Sequence, residues 1–212
     1  MSVRPDAPLE VLEPYLASRL LPLGPYPEGV VGSDFDLNPH RRPSEPVVLT
    51  NSAVLVPLVE RTAGLTVLLT RRSDRLARHS GQVAFPGGRA ESGETPLQTA
   101  LRETFEEVGV EERFIRPIGM SDSYETVTGF SITPVVALVS PGFVITHHEA
   151  EVAEVFETPL AFLMDPANHE LAVETFEDGF QRRFYRMPYE EKNIWGATAA
   201  MLRVLYGRWF AG

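Results

Sequence analysis

Glu103, Glu106 and Glu107 stand at positions i, i+3 and i+4, so any helix that carries them presents all three carboxylates on one side. Like charges at that spacing repel by roughly 0.2–0.5 kcal/mol per pair, and a helix that keeps three is either solvated there or holds cations. Hard oxygen ligands suit Mg2+ or Mn2+, ions that keep part of their water and grip substrate phosphates. An isolated E-x-x-E-E is by itself no more than an acidic surface, and its neighbours give it weight. Arg71, Arg72, Arg75, Arg78 and His79 crowd five actual or potential cations into a short stretch upstream, in a chain of net charge −10. Ordinary surface arginines would give the same count, but guanidinium forks also bind phosphate oxygens in bidentate fashion.

The element that must carry the glutamates is plainly written. Thr95 is an N-cap, Pro96 suits the first helical position, Gln98 completes a T-x-x-Q capping box, and Gly109 is the stop. Leu97, Ala100, Leu101, Thr104 and Val108 form its apolar side. Ahead of it, Gln82 to Phe85 reads as a short strand ending at Pro86-Gly87-Gly88, where two glycines let the backbone turn and approach a ligand.

The rest of the chain bounds the possibilities. At 212 residues and 43% hydrophobic, one domain with extensions is the economical reading. There is no cysteine, which excludes disulfides, thiolate catalysis and thiolate zinc sites. No 18-residue apolar run and no signal-like amino terminus are present, so a cytoplasmic protein with no membrane partner is expected. The acidic charge argues against nucleic acid as a partner and leaves a small anionic molecule to be met by local arginines and metal.

Residues 1–46 hold half of the 18 prolines around one helical pattern, Leu9 to Leu20, in which Leu12, Leu16 and Leu20 recur every four residues. This predicts either an extension packed across the domain or a partly disordered arm. From residue 47 to 212 the texture is that of a folded domain. Ser52 to Val59 and Leu65 to Thr70 read as strands, and Pro57 suggests an edge or a bulge in the first. Ile115 to Tyr124, Phe130 to Val139 and Glu154 to Glu157 are further strands, the last followed by a helix from Pro159 capped by Thr158. Ala172 to Phe176 and Phe180 to Tyr185 flank the hairpin signal Glu177-Asp178-Gly179, and a final helix is predicted over Ile194 to Phe210 with Asn193 as its cap.

Gly88, Glu94, Arg102, Glu103, Glu106, Glu107, Gly109 and Val110 together fit the signature G-x5-E-x7-R-E-U-x-E-E-x-G-U, and on them the chain resembles the Nudix hydrolases. Thr104 replaces the first bulky apolar residue U, and its methyl can still pack. The stretch from Leu68 to Gly88 is similar to the segment LLTxRSxxLxxHxGQxxFPGG that marks the coenzyme A pyrophosphatase branch, with Ala77 where many members carry arginine. The resemblance implies an α/β fold, a three-layer α/β/α sandwich with a mixed sheet, and metal-dependent hydrolysis of coenzyme A or acyl-CoA to 3′,5′-ADP and (acyl-)4′-phosphopantetheine. It implies Glu103 and Glu107 as main ligands of Mg2+ or Mn2+, with Glu106 assisting and a backbone carbonyl near Gly87 completing the shell. Arg102 and Glu94 then orient the ligands, while Arg72, Arg75, Arg78, His79, Gly87 and Gly88 meet substrate.

The general base is open among Glu151, Glu154, His147, His148 and Glu125. Glu151 is preferred because it borders a loop expected to swing over the metal. Two other functions compete. One is a Nudix hydrolase acting on ADP-ribose, a dinucleotide or an oxidised nucleotide. The other is a catalytically silent nucleotide sensor, which the intact glutamates disfavour.

Overall fold

The structure, a computed structural model, describes residues 3–74, 81–176 and 181–211. In chain order its regular elements are α1 (Leu9–Ala17), β1 (Gly32–Ser33), β2 (Thr50–Arg61), β3 (Gly64–Arg72), β4 (Val83–Ala84), β5 (Gly87–Arg89), α2 (Pro96–Val108), β6 (Ile115–Met120), β7 (Tyr124–Glu125), β8 (Phe130–Val139), β9 (Val152–Pro159), α3 (Leu160–Leu163), β10 (Glu170–Thr175), β11 (Gln181–Tyr189), β12 (Lys192–Trp195) and α4 (Ala197–Trp209).

Among the described residues, nine strands form one mixed sheet along the path β1-β7-β8-β2-β3-β4, with β5 also on β2, β6 on β8 and β9 on β3. The long β2–β8 pair is parallel, from Thr50 opposite Phe130 to Val59 opposite Val139, while β2–β3 and β3–β9 are antiparallel. Alternation along these strands sorts the core into two layers. Ala53, Leu55, Leu68, Val135 and Ala137 face α2 through Ala100 and Val108. Val54, Val56, Leu58, Val67, Leu69 and Val136 face the opposite way, onto Leu12 and Leu16 of α1, Leu160 and Leu163 of α3, and Leu202, Leu205 and Trp209 of α4. Helices on both faces of a mixed sheet make the α/β/α sandwich that the resemblance implies.

The described part of the amino-terminal stretch, residues 3–46, lies on this scaffold. Leu12 and Leu16 are fully buried, the Tyr15 hydroxyl donates to the Trp209 carbonyl at 2.6 Å, and β1 adds to the sheet alongside β7. Leu20 follows the end of the helix rather than lying on it, and packs against Gly119, where a Cβ would come within 2.6 Å of Leu20 Cβ.

Several local expectations are corrected. Pro57 sits in an interior strand, in the interval between the β5 ladder ending at Val54 and the β3 ladder beginning at Leu58. A change of partner on one flank thus leaves room for a missing N–H without an edge. Thr158 is not a cap, because it is a buried β9 residue and Pro159 opens α3. Ile194 belongs to β12, opposite Met187, and α4 starts only at Ala197 after Gly196, whose φ of 64° breaks the strand. Asn193 is therefore a strand residue; apolar spacing alone does not distinguish the buried end of a strand from the first turn of the next helix. The strand expected from Ile115 to Tyr124 is two, β6 and β7, with a register shift between Pro117 and Gly119. The Glu177 to Gly179 hairpin tip lies outside the described residues, although β10 and β11 pair as its arms.

Candidate active site

α2 forms as its sequence dictates. Thr95 Oγ1 accepts from the Gln98 amide at 3.3 Å, Gln98 Oε1 accepts from the Thr95 amide at 2.9 Å, and Gly109 ends the helix at φ 72°. Thr104 is buried, and its hydroxyl donates to the Ala100 carbonyl at 2.6 Å, so the polar atom of this substituted apolar position is satisfied within the helix.

The Gly87–Gly88 turn meets the helix carboxylates directly. Gly87 N–H donates to Glu107 Oε2 at 3.1 Å, and Glu107 is only 4% exposed. A Cβ on Gly87 would meet the Ala53 carbonyl at 2.4 Å, and one on Gly88 would meet the Glu103 carboxyl carbon at 2.5 Å. Gly87 is therefore restricted to glycine by the β2 backbone, whereas a side chain at Gly88 would have to displace the Glu103 carboxylate. What the glycines approach is β2 and two glutamates. Burial pushes the Glu107 carboxyl up to about 7, against the Gly87 amide and Arg72, which favour the charged form. Burial likewise raises Glu103, against Arg102.

Arg102 organises the remaining acids. It grips both oxygens of Glu94, Nε to Oε1 at 2.8 Å and Nη2 to Oε2 at 3.0 Å, and its Nη1 donates to Glu103 at 2.9 Å and to Glu106 at 3.1 Å. This fork holds the Glu94 carboxyl down at about 2. Among the described residues, His, Asp and Glu side chains do not gather into a ready group of three or more around one point. Arg102 draws Glu103 and Glu106 to itself, while Glu107 is turned to Gly87. The donor set is nevertheless all hard oxygen, and its two desolvated carboxylates lie one helical turn apart, which fits a divalent cation of the Mg2+ kind.

Residues 49–185 match the NUDIX domain family. The chain belongs to this family. It is 40% identical over 156 residues to a protein of Yersinia enterocolitica described as an uncharacterized Nudix hydrolase NudL, covering 73% of this chain and 79% of that one. A Citrobacter koseri protein of the same description is 40% identical over 155 residues, covering 73% and 80%. Among solved structures, the Nudix hydrolase RenU of M. smegmatis is similar at 21% identity and a TM-score of 0.46, over 55% of this chain and 80% of that one. The Nudix assignment makes the protein a hydrolase of a nucleoside diphosphate linked to another group.

On the far side of Gly87–Gly88 from the helix opens a cavity of about 450 Å³, bordered by Arg72, Phe85, Phe130, Arg182 and Trp195. Arg72 Nη1 also lies 3.9 Å from Glu107 Oε1, so this predicted substrate residue stands between cavity and carboxylate. Arg75, Arg78 and His79 lie outside the described residues.

The candidate bases are placed very differently. Glu154 is bound by Lys192 Nζ at 2.6 Å to each oxygen and has Arg71 at 3.6 Å. Glu125 accepts from Ser33 Oγ at 3.1 Å and Arg42 at 3.0 Å. His147 borders a separate shallow cavity with Ser73 and Asp74. Glu151 has His148 Nδ1 at 3.3 Å, and its charge raises both Glu103 and Glu107. Its loop does not have to swing to reach the helix, because the His148 amide donates to the Glu107 carbonyl at 3.1 Å and the Ser73 amide to the Glu151 carbonyl at 2.8 Å.

Three contacts escaped sequence reasoning. Ser52 Oγ donates to the Gly88 carbonyl at 2.5 Å, the Thr99 hydroxyl donates to Glu94 Oε2 at 2.9 Å, and the Tyr26 hydroxyl donates to Thr99 Oγ1 at 3.0 Å. Only the last two bear a local signal: a Thr on the first turn of a capped helix, and a Tyr in a proline-rich arm.

Proposed function

We propose that Glu103, Glu107 and, on binding, Glu106 hold Mg2+ or Mn2+ beside the Gly87–Gly88 turn, and that the substrate is coenzyme A or an acyl derivative, cleaved at its diphosphate. The observation that carries the reading is the pair of desolvated carboxylates, Glu103 and Glu107, set against a glycine turn whose other side opens on an arginine- and aromatic-bordered cavity. A cation held by these carboxylates would supply positive charge to the diphosphate and its leaving phosphate. Arg102, clamped by Glu94, fixes the rotamers of Glu103 and Glu106. Arg72 neutralises diphosphate oxygens at the cavity mouth, and Trp195 and Phe130 offer faces to a planar group. Glu151 accepts the proton of the attacking water.

Coenzyme A is favoured by the Leu68 to Gly88 stretch, of which Arg75, Arg78 and His79 are part. ADP-ribose, a dinucleotide or an oxidised nucleotide would use the same carboxylates, and the NudL relatives carry no assigned substrate that would rank coenzyme A above them. Phosphorus-31 NMR of products from a panel of these diphosphates with Mg2+ tests the reading. Coenzyme A should be the best substrate, giving 3′,5′-ADP; faster cleavage of ADP-ribose or a dinucleotide would transfer the assignment to that class. The domain reading proposed with it is a catalytic unit over residues 47–212, with residues 1–46 as an accessory arm.

A further inference from the structure

A second cavity, of about 280 Å³, adjoins the first and shares Asp34, Val127, Arg182 and Gly196 with it. The amino-terminal arm closes one side of it through residues 33–38, and β11 and α4 close the other. At this volume it is at the lower end of ligand pockets and takes part of a ligand rather than a whole one.

Its charge is unusual for an acidic protein. Arg203 is held by His169, with Nη1 3.1 Å from Nδ1, and lies over the Tyr185 ring at 4.7 Å. His169 Nε2 is 2.7 Å from the Leu163 carbonyl and must donate to it, while burial lowers the ring's proton affinity, so Nδ1 is the neutral acceptor of the Arg203 bond. Arg182, on the shared wall, lies near the rings of Phe184 and Trp195 at 5.8 and 5.7 Å. Among the described residues neither guanidinium has a carboxylate within ion-pair distance. The two acids that also line the cavity are held by donors of the arm, of β7 and of the turn after it rather than by these arginines: Asp34 accepts from the Tyr124 hydroxyl at 3.0 Å and the Val127 amide at 2.9 Å, and Asp36 accepts from the Ser33 amide at 2.9 Å. Two arginines are thus fixed by neutral groups in a concavity, an arrangement that positions cations without neutralising them and suits an anion.

We propose that this cavity is a subsite for a phosphate monoester carried by the nucleoside half of the substrate, in addition to the diphosphate that is cleaved. It rests on the diphosphatase reading of the adjoining cavity. Arg182 bridges the two compartments and Arg203 closes the far one, so a nucleoside bearing phosphates at both ends spans them. The amino-terminal arm then acts in substrate selection as well as in packing.

The test is calorimetric titration of the whole chain, without added metal, using adenosine 3′,5′-bisphosphate and adenosine 5′-monophosphate. The bisphosphate should bind at least about tenfold more tightly, as expected of charge-assisted contacts to one extra phosphate. Arg203→Gln and, separately, Arg182→Gln should each erase most of that ratio, and Arg203→Lys should restore part of it. Arg182 is a half-buried strand residue, so its variant keeps the question answerable if the α4 variant fails to fold. Equal binding of the two nucleotides, no binding of the bisphosphate, or a ratio that survives in folded Gln variants would overturn the subsite. Failure of the diphosphatase reading appears elsewhere, as absence of cleavage products from every diphosphate in the NMR panel, and would leave the binding ratio standing.

Discussion

The amide of Gly87 donates to a carboxylate oxygen of Glu107 at 3.1 Å, tying the turn before α2 to the last turn of that helix. The bond needs only an acceptor oxygen at residue 107, whereas cation binding needs a charge. Glu107→Gln separates the two requirements. It should keep the circular dichroism spectrum and lower metal-dependent turnover by at least about a hundredfold, the order typical for losing a group that stabilises transition-state charge. Turnover near the wild-type rate would remove Glu107 from the ligand set.

Gly88 tests the same site from the other side. Its Cβ would stand 2.5 Å from the Glu103 carboxyl carbon, so Gly88→Ala must displace that carboxylate. Because the far end of a flexible side chain can move, stability should fall by no more than about 1 to 2 kcal/mol, within the ordinary range for a single substitution. Affinity for Mn2+, read by the loss of free-ion EPR signal, should fall by tenfold or more. Unchanged affinity would mean that Glu103 is free to bind from another rotamer or does not bind at all.

The Glu94–Arg102 fork gives a pH dependence with a definite sign. Glu94 is held at about 2 against an ordinary 4.5, chiefly by Arg102, so the folded chain binds this proton less readily than the unfolded chain. Its stabilisation is complete above about pH 4.5 and is lost as pH falls through 2. Glu94→Gln should therefore cost about 1 to 3 kcal/mol in urea denaturation at pH 7 and much less near pH 2. An equal cost at both pH values would mean that packing, not the charge pair, is what the substitution removes.

The parts legible in the sequence were those written locally. The capping box, Pro96 and Gly109 specify α2 within one residue because each supplies an explicit backbone partner or dihedral, and the Gly87-Gly88 pair marks a close approach. What Gly88 approaches could not be read, since Glu103 comes to it through the tertiary fold. For the same reason Tyr26 and Thr99, 73 residues apart, each bear a local signal but none that pairs them, and the arginine-lined cavity of Arg182 and Arg203 leaves no sequence pattern. The start of α4 is hidden in the sequence because buried Ile194 serves β12 while continuing the helix's apolar spacing, and Gly196 at positive φ separates the two elements.

Glu151 and Glu154 are three residues apart, yet Glu154 has both oxygens on the Lys192 ammonium, which together with Arg71 holds its carboxyl below the ordinary range. A carboxylate so stabilised in its charged form is a poor base, because accepting a proton would break two short charge-assisted bonds. Among the described residues Glu151 has His148 as its one charged or polar side-chain partner, its side chain is 48% exposed, and its charge is felt by both Glu103 and Glu107. Glu151→Gln should therefore lower kcat by about 10² to 10⁴ while leaving Mn2+ affinity close to wild type. Glu154→Gln should act differently, lowering stability through the orphaned Lys192 and changing kcat by less than about tenfold. Single-turnover measurements at saturating metal compare the two directly. If Glu151→Gln keeps wild-type kcat and Glu154→Gln does not, Glu154 becomes the base and its Lys192 pair must open during turnover; if neither changes kcat, the proton goes to no carboxylate of this segment.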